Sequence, residues 1–230
     1  HWYVAPDFFY QNSTIFDQHP RGKYTVYVGE YACNRGVGGG NMTAALSEAA
    51  FISGMERNGD LVKMASYAPL FENRNDRSWS TNLIWIDSDQ VLGRSSYYVQ
   101  KMAAENRPTY NIKYNRSVSM DKDSNLTHSS DSIPLQFISS GYDEETKEII
   151  IKVVNAADVP YSTSFQLDGV TKVDKKGNII TLSATSGKDE NSFDEPEKIY
   201  PRQIEYNEFN KNFSYEFLPF SYTIFRISAR

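Results

Sequence analysis

Hydrophobic positions along this chain fall into two patterns that meet near residue 108. In the first, apolar runs are short and unbroken, and they alternate with helical stretches. Tyr24–Ala32 is β-branched and aromatic without clean alternation, which suits a parallel strand covered on both faces. Met42–Asn58 is rich in Ala and Leu, can be capped by Asn41 or Thr43, and ends at Asn58-Gly59; this predicts a helix lying close on a sheet through small residues. Asp60–Ala68 reads as the next buried strand, so strand, helix and strand form a parallel crossover. His1–Pro6 looks like a strand end broken by proline, and Asp7–Asp17 like a short helix capped by Asp7. Pro69–Asp89 is a long connection with one short strand, Asn82–Ile86, after which Ser95 or Ser96 caps a helix over Tyr97–Glu105.

Beyond Pro108 the pattern changes to strands of five to eight residues separated by turns. The runs are Gln136–Ser139, Glu148–Asn155, Ser162–Leu167, Lys172–Val173, Ile179–Leu182, Ser214–Leu218 and Tyr222–Ile227, with hairpin signals at Asp168-Gly169 and Lys176-Gly-Asn178. These predict an antiparallel, jelly-roll-like sandwich. The expected division is therefore 1–108, parallel α/β, and 109–230, all-β. The first part holds too few strands for a (β/α)8 barrel, which closes with eight strand–helix units. It nonetheless ends as a barrel ends, with a last helix handing over to an appended β domain. The expectation is the C-terminal part of a TIM barrel, with His1 not the first residue of the natural protein. The exposed strand edges this implies would pair with the rest of the barrel or with a second copy of the chain.

Composition narrows the function. A net charge of −5 and a pI near 5.3 argue against nucleic acid, whose partners are basic and clustered. No 18-residue apolar stretch exists, so no helix is expected to span a membrane. Sixteen tyrosines in an acidic chain suit β-structure and neutral polar ligands such as sugars. Cys33 stands alone, leaving the redox compartment open, and is expected to be a small buried residue. Asn-x-Ser/Thr triplets at Asn12, Asn41, Asn115, Asn125 and Asn212 matter only in a eukaryotic secretory host.

Candidate chemistry centres on Glu30, at the point where the Tyr24–Ala32 strand runs out; strand C-termini carry the chemistry of parallel barrels. The loop behind it, with Gly36, Gly38, Gly39 and Gly40, has no Gly-Lys-Ser/Thr and reads as a loop needing unusual backbone angles. The acids of Asp189–Glu197 lack the spacing of a Ca²⁺ loop, so a solvated or inter-domain loop is preferred. No metal and no cofactor is expected.

Several ordered motifs carry a family resemblance. Val28-Gly-Glu-Tyr-Ala32, Ala44-Ala-Leu-Ser-Glu-Ala-Ala-Phe51, Met55-Glu-Arg-Asn58, Val62–Phe71, Ser95–Gln100, Asp189–Pro196 and Phe220–Phe225 together resemble the α-L-arabinofuranosidases of glycoside hydrolase family 51, the branch of plant and gut Bacteroidetes enzymes. The resemblance implies that Glu30 is the nucleophile at the end of the seventh barrel strand. It implies that His1 and Tyr3 match a His-x-Tyr motif on the sixth strand that lines the sugar site, and that Val62–Ala68 is the eighth strand. The family's acid/base Glu comes from the fourth strand, which this chain does not include; alone it is expected to be inactive. Pro69 departs from a Gln found in other branches. Trp79 and Trp85, after the eighth strand, would stack on a sugar or else fill the barrel rim. The implied ligand is an arabinofuranosyl oligo- or polysaccharide, and the implied location is secreted or periplasmic. The alternatives are a non-catalytic carbohydrate-binding or structural sandwich module, and a related barrel glycosidase acting on another sugar.

Overall fold

The computed structural model describes residues 1–117 and 134–230. Asn125 lies outside the described residues. Strand β1 (Trp2–Val4) leads into helix α1 (Pro6–Gln11), strand β2 (Val26–Cys33), helix α2 (Met42–Arg57) and strand β3 (Val62–Tyr67). The three strands form one parallel sheet in the order β1-β2-β3. Helix α1 starts one residue before the expected cap. Ala5 is its N-cap and Pro6 its first residue, because proline's fixed φ suits a first turn that needs no N–H. Asn41 caps α2 as expected, its side chain accepting from the Ala44 N–H at 3.0 Å.

The connection after β3 folds into a small sheet of its own: β4 (Phe71–Asn73), β5 (Ile84–Asp87) and β6 (Gln90–Gly93), in that order. The sequence pattern discloses only β5, since β4 and β6 are three and four residues long. Helix α3 (Ser95–Glu105) follows. Its N-cap is Arg94 rather than a serine, with no side-chain cap bond, because a guanidinium has no acceptor to offer the first N–H groups of a helix.

The remaining strands are β7 (Tyr110–Asn111), β8 (Gln136–Asp143), β9 (Glu148–Asn155), β10 (Tyr161–Gln166), β11 (Val173–Ser183), β12 (Arg202–Tyr206), β13 (Asn212–Phe217) and β14 (Ser221–Ala229). Six of them make an antiparallel sheet, β12-β11-β14-β9-β8-β7, and β10 pairs with β13 across the sandwich. The hairpin expected at Lys176-Gly-Asn178 is not there. Strand β11 runs straight through it, with a register irregularity between Val173 and Gly177 against β14. A Cβ on Gly177 would lie 2.5 Å from the Arg226 carbonyl oxygen, so this glycine marks a bulge and a close backbone approach. Strand β12 has no sequence signal because its only aliphatic residue, Ile204, is exposed on a sheet edge.

Two apolar clusters fill the molecule. Ile149, Ile151, Val153, Phe213, Phe217, Phe225 and Ile227 pack between the two sandwich sheets. Ile150, Val154, Tyr222 and Ile224, on the opposite face of the same strands, pack with the residues of α2 and α3. Strands β9 and β14 are therefore covered on both faces, which explains the unbroken run Ile149–Asn155 in an antiparallel sheet. Helix α2 in turn contacts β2 on one side and β8, β9 and β14 on the other. Every residue from Met42 to Met55 except Thr43 is buried, as a helix held between two sheets must be.

Candidate functional site

The parallel register sets Tyr3 beside Ala32 and Trp2 beside Tyr31, so the start of β1 runs along the C-terminal half of β2. That brings three residues together that lie far apart in sequence. Tyr3 Oη donates to Glu30 Oε2 at 2.7 Å, and His1 Nδ1 lies 3.1 Å from the same oxygen. Both contacts converge on Oε2. The Glu30 side chain is 42% exposed and that of His1 69%, so the cluster opens to solvent. Gly29 leaves the room: a Cβ there would sit 3.3 Å from His1 Nε2. The Tyr3 hydroxyl is pushed up to about 12, first by burial and then by the hydrogen bond it donates to Glu30.

Behind the sheet, fully buried Glu48 of α2 accepts the Cys33 N–H at 2.7 Å, tying the helix to the last residue of β2. Burial pushes the Glu48 carboxyl up to about 8, against the lowering effect of that bond and of the Ser96 and Tyr67 hydroxyls. Glu48 is not among the residues singled out from the sequence. An acid within an alanine-lined helical face is the signal by which it could have been found. Cys33 is buried as expected, and burial drives its thiol well above the usual range, which makes it a poor nucleophile.

The two tryptophans differ. Trp79 is 66% exposed. Trp85 is a correction to the expectation of a sugar-stacking residue: it is 7% exposed, with the guanidiniums of Arg94 and Arg74 over its ring at 3.7 and 4.0 Å. The alternation of β5 turns it inward beside Glu72 of β4 and Leu92 of β6, its register partners. Buried Glu72 accepts from Asn82 Nδ2 at 2.6 Å and pairs with Arg74 and Arg77 at 3.0 and 2.6 Å, which holds both arginines near the indole. An aromatic whose faces meet cations offers no surface to a sugar ring.

Of the two readings of the acidic loop, its first residues follow the inter-domain one, while Asp194, Glu195 and Glu197 are exposed. The Asp189 and Gly187 carbonyls accept the first two N–H groups of α2, from Met42 and Thr43, each at 2.9 Å. Asp189 Oδ2 accepts from the Thr185 hydroxyl at 2.8 Å, and its other oxygen meets Lys198 at 3.0 Å. Among the described residues no cluster of three or more His, Cys, Asp or Glu could hold a metal ion, and no helix is long and apolar enough to cross a membrane.

This arrangement has known relatives. Residues 29–221 match the family described as "Alpha-L-arabinofuranosidase C-terminal domain". The chain is 34% identical over 204 residues to alpha-L-arabinofuranosidase 2 of Arabidopsis thaliana, across 88% of this chain and 29% of that protein. It is 41% identical over 106 residues to the extracellular exo-alpha-L-arabinofuranosidase of Streptomyces chartreusis, 46% of this chain and 12% of the relative. The arabinose-bound structure of MgGH51 α-L-arabinofuranosidase superposes on all of this chain and 36% of its own, with a TM-score of 0.88 at 25% identity. The GH51 enzyme of Thermotoga petrophila RKU-1, at 14% identity, shares the fold over 88% of this chain and 43% of its own, with a TM-score of 0.72. The chain thus spans about three-tenths of the length of the Arabidopsis relative. With a family match that starts one residue before Glu30 and reaches the first residue of β14, the chain belongs to the alpha-L-arabinofuranosidase C-terminal domain family.

Proposed function

We propose that this chain is the C-terminal portion of a retaining α-L-arabinofuranosidase and that Glu30 is its nucleophile. The observation that carries the reading is the convergence of Tyr3 and His1 on a single oxygen of Glu30 in the C-terminal half of a parallel strand. A retaining glycosidase needs one carboxylate aimed at the anomeric carbon and a second carboxyl about 5–5.5 Å away to protonate the leaving oxygen. Holding Oε2 from the side fixes the plane of the carboxylate and presents Oε1 to the sugar. Oε1 attacks the anomeric carbon, the glycosidic C–O bond breaks, and the leaving oxygen takes a proton from the general acid. Water, deprotonated by the same group, then displaces Glu30 and releases arabinose with its configuration retained. The general acid is assigned to a part of the enzyme outside these residues, in keeping with a relative about three times as long.

In this reading β1, β2 and β3 are the sixth to eighth strands of a (β/α)8 barrel, residues 1–108 its closing part, and 109–230 the appended sandwich. Partners are the rest of that barrel and terminal α-L-arabinofuranosyl groups of a poly- or oligosaccharide, with Trp79 exposed near the rim to meet them. Secretion is in keeping with the Streptomyces relative described as extracellular. The test is chemical rescue in the full-length enzyme. Glu30→Ala abolishes hydrolysis of an aryl α-L-arabinofuranoside, and azide restores part of the turnover by giving the glycosyl azide of inverted configuration. Near-normal hydrolysis by Glu30→Ala rules this residue out as nucleophile.

A further inference from the structure

The loop that joins the Glu30 strand to α2 is held from the far half of the molecule. Glu190 lies in the long connection between β11 and β12, 160 residues after Glu30 in sequence. Its Oε1 accepts the Gly39 N–H at 3.3 Å, and its Oε2 accepts from Arg94 Nη2 at 2.6 Å. Arg94, fully buried, also donates to the Gly40 and Asn191 carbonyls at 3.4 and 2.9 Å and lies over Trp85. The Asn191 side chain is closed in turn on the Gly93 and Ile199 backbone. The glycines of the loop are those this contact requires. A Cβ on Gly38 would fall on Glu190 Oε1, and one on Gly39 would sit 2.8 Å from both Arg94 Nη2 and the Trp85 ring. Gly38 and Gly40 also take φ of +58° and +112°, so the loop is committed to one path only while something holds it there.

At its other end the loop is tied to the candidate site. The Asn34 and Arg35 N–H groups donate to the Val4 carbonyl, at the end of the strand that carries Tyr3. The loop therefore runs from the Tyr3–Glu30 pair directly to the Glu190–Arg94 pair. Resting on the function proposed above, we infer that Glu190 is a positioning residue: through Arg94 and the Gly39 N–H, the sandwich sets the loop that forms the wall of the sugar site beside Glu30. Glu30 is itself oriented by Tyr3 and His1, so loosening the loop leaves the nucleophile in place and weakens what surrounds the sugar in ground state and transition state alike. Such a loss of uniform binding raises KM and spares kcat. A purely structural role gives the opposite split, because partial unfolding lowers the active fraction, and hence kcat, at constant KM.

The experiment uses the full-length enzyme with Glu190→Ala, Glu190→Gln, Glu30→Ala and, as a control on the same loop, exposed Glu197→Ala. Hydrolysis of an aryl α-L-arabinofuranoside is read together with amide hydrogen exchange over residues 36–43. The expected result for Glu190→Ala is a KM raised about tenfold, kcat within about twofold and an unchanged pH profile, with faster exchange confined to the loop. Glu190→Gln keeps an acceptor for only one of the two donors, since its NH2 replaces the other oxygen, and falls between the alanine variant and wild type; it also carries the test if the alanine variant does not fold. The inference is overturned by a KM and loop exchange equal to those of Glu197→Ala, or by a loss in kcat at constant KM. If wild type hydrolyses the substrate and Glu30→Ala does not, either of those results leaves the nucleophile assignment standing. If wild type hydrolyses no arabinofuranoside, the functional reading fails, and the exchange arm alone decides whether Glu190 holds the loop.

Discussion

Lys152 of β9 is buried against Glu56 of α2, and its ammonium also donates to the Ala103 carbonyl of α3 at 3.1 Å. One cation thus fastens both helices to β9, one of the two central strands of the six-stranded sheet. Burial lowers the Lys152 pKa, and Glu56 opposes that shift. Removing the acid leaves a buried charge with only the Ala103 carbonyl as hydrogen-bond partner and strands the Ser139 hydroxyl that had donated to Glu56. Glu56→Ala is expected to cost about 3 kcal/mol, at the low end for broken buried pairs because Glu56 keeps some exposure. Lys152→Met, which removes the buried charge and fills its volume, should cost clearly less. Denaturant unfolding of the two variants checks the order; equal losses would contradict it.

Tyr3→Phe removes the 2.7 Å hydrogen bond to Glu30 and little else. In the full-length enzyme it should lower kcat about 10- to 100-fold while the protein stays folded, since Glu30, the proposed nucleophile, loses its orientation and not its carboxylate. Steady-state kinetics with an aryl α-L-arabinofuranoside gives the answer. A kcat equal to wild type would mean that the bond does not orient Glu30.

Glu48 makes stability depend on pH. Its carboxyl sits at about 8 in the folded chain, raised chiefly by burial, against about 4.3 for an unfolded glutamate. Between those values the unfolded chain has released the proton and the folded chain keeps it, so stability falls as pH rises across the window and levels off above it. Glu48→Gln keeps an acceptor for the Cys33 N–H and has no proton to lose. Melting curves from about pH 5 to about pH 8.5 should show a shallower decline for the variant than for wild type, with the variant ahead at the alkaline end. Parallel curves would show that Glu48 does not titrate there.

The two tryptophans should separate cleanly. Trp85→Ala empties a site between two guanidiniums and should cost about 3 kcal/mol or more. Exposed Trp79→Ala should leave stability within about 0.5 kcal/mol. In the full-length enzyme, Trp79→Ala should raise KM for an arabinose-bearing polysaccharide more than for an aryl arabinofuranoside. Thermal melts and the paired KM values decide it.

How much of this was written in the sequence depends on the range of each interaction. Helix α2 was legible because its cap, its small apolar face and its Asn-Gly end all lie within one stretch. So was the strand over Ile149–Asn155, although its burial on both faces, by a helix layer on one and by β10–β13 on the other, was not. Glu30 stood out by its place at an expected strand end, although β2 runs on to Cys33, and its contact with Tyr3 and His1 depends on the β1–β2 register, which no local pattern encodes. Trp85 misleads for the same reason. The two arginines over its ring come from 11 residues before and 9 after it, and a tryptophan in a loop-rich stretch looks alike whether its faces are bare or covered. Gly177 misleads because a glycine that admits a neighbouring carbonyl and one that turns a hairpin are the same letter. The acids at Asp189 and Glu190 gave no sign of partners lying more than ninety residues away.

Helix α2 lies between two sheets and belongs to the interior of both. The sandwich is consequently not a detachable part. Cut away at residue 108, it would bare the Ile150, Val154, Tyr222 and Ile224 face of its sheet to water, and the other piece would lose the carbonyls that close the start of the helix. Any lineage that recombines this sandwich with another scaffold has to bring a helix of the same small-residue girth along with it. Heating the intact chain should accordingly melt both halves in one transition.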